Sequence, residues 1–134
     1  MTAAPLAVLL VEDNPDDELL IRRELRKGGL DARLARVDTP AGLAAALDRD
    51  DWQLVIADYN LPAFSGMEAL AEVKRRRPGL PLILVSGTVG EDVAVDSIKA
   101  GADDYLLKQN LVRLVPAVVR AVREAGERAG RAAA

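Results

Sequence analysis

Cysteine and histidine are both absent from this 134-residue sequence. The first absence excludes disulfides, thiol nucleophiles and thiolate metal sites; the second removes the commonest general base and the imidazole metal ligand. Any chemistry must therefore rest on carboxylates, hydroxyls and lysine. Aromatic residues make up only 3%, so the core has to be aliphatic. Long apolar runs are missing as well. Leu6–Val11 stops at Glu12, far short of the ~20 residues of a membrane-spanning helix, and residues 1–5 carry no basic start of a signal peptide. The expected location is the cytoplasm, with no membrane partner. A formal net charge of -3 gives no general attraction to nucleic acid, itself a polyanion. No phosphate-binding glycine loop of the G-x-x-x-x-G-K-[ST] or G-x-G-x-x-G type follows the first apolar run, which sets nucleotide binding aside.

What is present suits a globular chain: 50% apolar and 29% charged residues, in a length typical of one domain. The expectation is a single domain with a core of about residues 6–125 and a frayed tail over 126–134. Apolar runs of strand length, Leu6–Val11, Leu34–Val37, Leu54–Ala57, Leu80–Val85 and Tyr105–Leu107, alternate with helix-like segments. Several of these runs are continuous rather than alternating, as in strands buried on both faces of a parallel sheet.

Helix starts are marked by Asn14-Pro15 with Asp16, Asp17 and Glu18 behind it, where acids favour the dipole, and by Thr39-Pro40. The pairs Ser65/Glu68 and Thr88/Glu91 have capping-box spacing. Gly28-Gly29 closes the first helix. In the last, Val115, Val118, Val119 and Val122 recur at helical spacing, with Pro116 near its first turn and Asn110–Leu114 a separate short turn. Five strand–helix units predict an α/β fold: a doubly wound five-stranded parallel sheet of order 2-1-3-4-5 flanked by five helices.

In such sheets the functional cleft lies at the carboxyl ends of the strands. Glu12-Asp13 end the first candidate strand, Asp58 the third, Ser86 the fourth and Lys108 the fifth. Carboxylates crowded in a partly desolvated cleft require a proton or a cation, and a hard divalent ion such as Mg2+ suits oxygen ligands. A carboxylate can also accept a phosphoryl group as an aspartyl phosphate, with cation, lysine and hydroxyl neutralising the equatorial oxygens.

The segments Val11-Glu12-Asp13-Asn14, Asp58 through Pro62 with Ser65-Gly66, Val85-Ser86-Gly87, and Ala100 through Tyr105 leading to Lys108 resemble the receiver domain of response regulators across nearly the whole chain. The resemblance implies a phosphorylation switch of two-component signalling. It makes Asp58 the phosphoacceptor, and Glu12, Asp13, Asp58 and the backbone carbonyl of Asn60 the magnesium ligands, with Asp13 the more direct of the acidic pair. It makes Ser86 the switch hydroxyl, Tyr105 the aromatic that follows it and Lys108 the phosphate-pairing lysine. Activation would repack the face of helix 4, strand 5 and helix 5. Two departures stand out: Gln109 follows the lysine where the family usually has proline, leaving that loop freer, and Leu61 replaces the usual methionine.

The implied partners are a histidine kinase or phosphotransfer protein, docking beside helix 1, and a downstream protein or a homodimer. Few residues follow the last helix, so the expectation is a stand-alone receiver, similar to a chemotaxis regulator, that is not an enzyme beyond catalysing its own phosphorylation and dephosphorylation. The main alternative is a degenerate receiver acting as a phosphorylation-independent interaction module; the complete set Glu12, Asp13, Asp58, Ser86 and Lys108 argues against it. A phosphatase of the haloacid-dehalogenase type would need an aspartate where Asn60 stands. The run Lys74–Arg77 reads as solvated cations at a helix end, and Trp52 as packing. Asn60 and Thr88 are positioned to influence phosphoryl lifetime.

Overall fold

Strands β1 (Leu6–Val11), β3 (Leu54–Asp58) and β4 (Leu82–Ser86) are nearly all fully buried in the computed structural model, which describes residues 5–87 and 90–133. Strands β2 (Ala32–Val37) and β5 (Asp104–Leu107) form the edges, and all pairings are parallel in the order β2-β1-β3-β4-β5. The topology read from the sequence is therefore the observed one.

Alternate residues of each central strand enter different layers. Leu9, Val11, Val55, Ala57, Leu82 and Leu84 pack on one face against Leu43 and Leu47 of α2 (Pro40–Arg49) and Leu70 and Val73 of α3 (Gly66–Arg76). Val8, Leu10, Leu54, Ile56, Ile83 and Val85 pack on the other against α1 (Pro15–Lys27) and α5 (Leu114–Ala133) through Ile21, Leu25, Leu114 and Val118. Helix α4 (Glu91–Lys99) is anchored more weakly. Its one buried residue is Ser97, while Val95 and Ile98 are 52% and 48% exposed.

The starts of three helices follow their sequence signals. The Asn14 side chain accepts from the Asp16 N–H at 2.8 Å, Thr39 from the Gly42 N–H at 3.0 Å, and Ser65 and Glu68 close a reciprocal capping box. The fourth signal differs: α4 begins at Glu91 with Gly90 as its N-cap and no side-chain cap, and Thr88 lies outside the described residues. Gly29 follows α1 at φ 82°, a conformation that favours glycine.

Strand bounds shift for backbone reasons. β4 starts two residues later than its apolar run because Pro81 has no N–H for the ladder, and β2 starts earlier because its pairing already begins beside Leu6, whose N–H donates to the Asp31 carbonyl. The short turn before the last helix is a 3-10 stretch over Lys108–Arg113, kinked at Asn110. The tail expected to fray is helical instead: α5 runs on to Ala133, through Ala, Arg and Glu residues of high helix propensity, and Arg128 pairs with Asp103 at 3.8 Å. The basic run is also less free than its composition suggests. Arg76 pairs with Asp48 and Glu72, and Arg77 donates to the Leu47 and Asp50 carbonyls, so together they tie the end of α3 to the end of α2. Trp52 is buried, with its indole N–H on the Ala46 carbonyl.

Candidate functional site

Register brings the polar strand ends together. Val11 lies opposite Ala57, Asp58 opposite Val85, and Ser86 opposite Leu107, so Glu12, Asp58, Ser86 and Lys108 emerge at one edge of the sheet. Glu12 and Asp58 are only 1% and 6% exposed, and Ser86 is fully buried.

Each buried carboxylate is held by backbone donors. Glu12 Oε1 accepts the Asp13 and Asn14 N–H groups, both at 3.1 Å, and Asp58 Oδ1 accepts the Asn60 N–H at 3.1 Å. The Lys108 ammonium crosses the cleft to their other oxygens, 3.2 Å from Glu12 Oε2 and 3.0 Å from Asp58 Oδ2. A third carboxylate completes its surroundings: Asp17 Oδ2, from the first turn of α1, lies 2.5 Å from Lys108 Nζ.

Burial pushes Glu12 up from 4.5 to about 7, and the charge of Asp58 adds to the effect against the opposing Asn14 N–H and Lys108. Burial disfavours the charge on Lys108, but hydrogen bonds to Asp17 and Asp58 and the charges of Glu12 and Asp58 outweigh it and hold the ammonium above the ordinary lysine range. A stability consequence follows for the metal-free protein. Folding raises the affinity of Glu12 for a proton, so that contribution is complete below pH 4.5 and is lost as pH rises through about 7. Denaturant unfolding in chelator should show stability falling by on the order of 3 kcal/mol between about pH 5 and about pH 8. Glu12→Gln should flatten that fall; an unchanged slope in the variant would assign it to another group.

The carboxylate oxygens of Glu12, Asp17 and Asp58 lie within 4.8 Å of one another. Close, hard, anionic oxygens are what a divalent cation requires, so the residues present fit such an ion.

The family model for the response regulator receiver domain matches residues 8–119. The chain belongs to this family. Over 116 residues this receiver domain is 34% identical to the response regulator protein PilR of Pseudomonas aeruginosa, an alignment covering 86% of the chain and 26% of PilR. It thus spans about a quarter of that relative. Among solved structures it is similar to NtrX from Brucella abortus, with a TM-score of 0.83 and 25% identity over 96% of this chain and 29% of that one. The Mn(2+)-bound form of the response regulator Rcp1 is 28% identical at a TM-score of 0.68, covering 85% of this chain and 89% of that one. This receiver domain therefore carries the acidic pocket at which its family binds a divalent metal.

Within the receiver domain, the residues singled out from sequence divide into two groups. Glu12, Asp58 and Lys108 meet directly, and Ser86 ends the neighbouring strand. Asp13 and Asn60 are exposed at the mouth, and the close carboxylate group contains Asp17 where the resemblance implies Asp13. Tyr105 is half-buried and meets Tyr59 edge to face, with ring centroids 6.3 Å apart. Asp17 and Tyr59 were not legible as site residues: the first reads as a helix-dipole acid, the second as the neighbour of Asp58. The Lys108–Gln109 loop has no cis peptide, as is true throughout the described residues. Among those residues no helix is long and apolar enough to cross a membrane.

Proposed function

We propose that this receiver domain is a phosphorylation switch that accepts a phosphoryl group on Asp58 from a histidine kinase or phosphotransfer protein in the cytoplasm. The observation that carries this reading is the contact of a buried, backbone-held Asp58 with the Lys108 ammonium at the carboxyl edge of the sheet. A carboxylate oxygen of Asp58 forms the new bond to phosphorus as the bond from phosphorus to the donor's nitrogen or oxygen breaks. The electron pair leaves with the donor, which takes its proton from solvent. The chain has no histidine of its own to act as donor.

Lys108 supports charge on the equatorial oxygens, and the Asn60 N–H keeps Asp58 in one orientation. Glu12, Asp13, Asp58 and the Asn60 carbonyl would hold Mg2+, which when bound neutralises charge on the transferring group. Ser86 and Tyr105 would carry the change to α4, β5 and α5. The sparse anchoring of α4 and its exposed Val95 and Ile98 suit a face that repacks against a downstream partner or a second copy. On this reading the chain processes its own acyl phosphate and turns over no separate substrate.

The test is intact mass after incubation with acetyl phosphate. A gain of about 80 Da, one phosphoryl group, is expected with magnesium and should disappear in chelator. A gain of the same size in chelator would remove the metal from the mechanism. No gain in either condition, together with no magnesium binding by titration calorimetry, would favour the phosphorylation-independent interaction module.

A further inference from the structure

We infer that Asp17 is a positioning residue for phosphoryl transfer, holding Lys108 where it can meet the phosphoryl group. The inference rests on the reading of Asp58 as phosphoacceptor. An ammonium has three protons, and here three carboxylates receive it. Two of them, Glu12 and Asp58, belong to the machinery and would change partners: both would hold Mg2+ when it is bound, and Asp58 is the group that becomes an acyl phosphate. Asp17 shares the close carboxylate group with them, but it is not acylated, and with Asp13 assigned as the acidic ligand it is left to Lys108. Its contact, 2.5 Å long and bridging 91 positions of sequence, is the anchor that survives both events.

Such an anchor answers a local need. Lys108 opens a 3-10 stretch that deviates from helical dihedrals at Asn110, and Gln109 gives its backbone none of the rigidity of a fixed ring. The lysine stem must therefore be fixed through its head. Helix α1 supplies the fixed point, because the Asn14 side chain and Pro15 set its first turn and Ile21 and Leu25, four and eight residues on along the same side of the helix, are buried against the sheet. Asp17 lies within that turn, three residues beyond the cap, and is half-buried rather than solvated.

Position and charge make opposite predictions, which allows them to be separated. Through space, the negative charge of Asp17 repels an incoming phosphoryl donor, so Asp17→Asn should speed labelling if charge alone matters. If Asp17 acts by holding Lys108, Asp17→Asn should slow it. With the full chain, saturating magnesium and acetyl phosphate, the initial labelling rate of Asp17→Asn is expected to fall by roughly ten- to a hundredfold, the upper end being the scale of a catalytic group misplaced by about 1 Å. Asp17→Glu should recover part of the rate. In a Lys108→Ala background, Asp17→Asn should cause no further slowing, since there is no ammonium left to hold.

Equal slowing in the Lys108→Ala background, or unchanged or faster labelling with Lys108 present, would overturn the inference. So would a rate defect that excess magnesium cures, because Asp17 would then be a metal ligand. Failure of the wild-type chain to take label would instead overturn the reading of Asp58 on which the inference depends.

Discussion

Asp58→Asn should abolish magnesium-dependent phosphorylation, reducing label on the protein by at least about a hundredfold, while leaving the fold intact. The amide is nearly isosteric with the carboxylate, so the packing at the end of β3 is preserved. What it loses is the charge and nucleophilicity that make an acyl phosphate possible. Stability should change little or rise. In the native cleft Asp58 sits near the buried Glu12, and its charge is one of the causes that push Glu12 up. Removing it relieves that repulsion while Lys108 keeps Glu12 and Asp17 as partners. Intact mass with acetyl phosphate and thermal unfolding together check both halves. Acid-stable label persisting at full yield in the variant would place the acceptor elsewhere, on a hydroxyl.

Why the sequence revealed so much of this site, and where it stopped, has a physical explanation. Strand ends in a parallel sheet are fixed by hydrogen-bond register, and apolar runs show the ends directly: Val11 gives way to Glu12, Ala57 to Asp58, Val85 to Ser86 and Leu107 to Lys108. Those residues had to share an edge once the strand order was known. Asp17 is on a helix, where direction depends on how α1 lies across the sheet. In sequence it is indistinguishable from Asp16 and Glu18 beside it, both equally good partners for a helix dipole. Only its approach to a lysine on the far side of the chain distinguishes it. The tail was misread for the opposite reason. A run of alanine and arginine carries no apolar periodicity to mark a packed helix, yet its propensity and the hold of Arg128 on Asp103 are enough to continue α5.

Gly66→Ala should cost about 2 to 3 kcal/mol of stability, the usual scale of a forced overpacking. It should also slow phosphorylation by more than the stability loss explains. Gly66 is buried at the first position of α3, and a methyl group there would lie 2.7 Å from both the Asp58 carbonyl oxygen and Tyr59 Cα, and 2.8 Å from Leu84 Cδ2. The leucine tip can rotate away, but the two backbone atoms cannot without moving the end of β3. That backbone is held from both sides: the Gly66 N–H donates to the Tyr59 carbonyl at 2.8 Å and Asn60 bridges to Ser65, while across the sheet the Tyr59 N–H donates to the Val85 carbonyl. A displacement would therefore be carried by Asp58 itself, whose carboxylate must keep both the Asn60 N–H and Lys108. Denaturant unfolding gives the first quantity. Labelling at saturating magnesium, under conditions where the variant is more than about 95% folded, gives the second. A variant that is destabilised yet labels at the wild-type rate would show that β3 and α3 separate without moving Asp58, and that the tight approach at Gly66 serves packing alone. A rate loss of tenfold or more in the folded protein would show that the same glycine that lets α3 close on the sheet also sets the position of the phosphoacceptor.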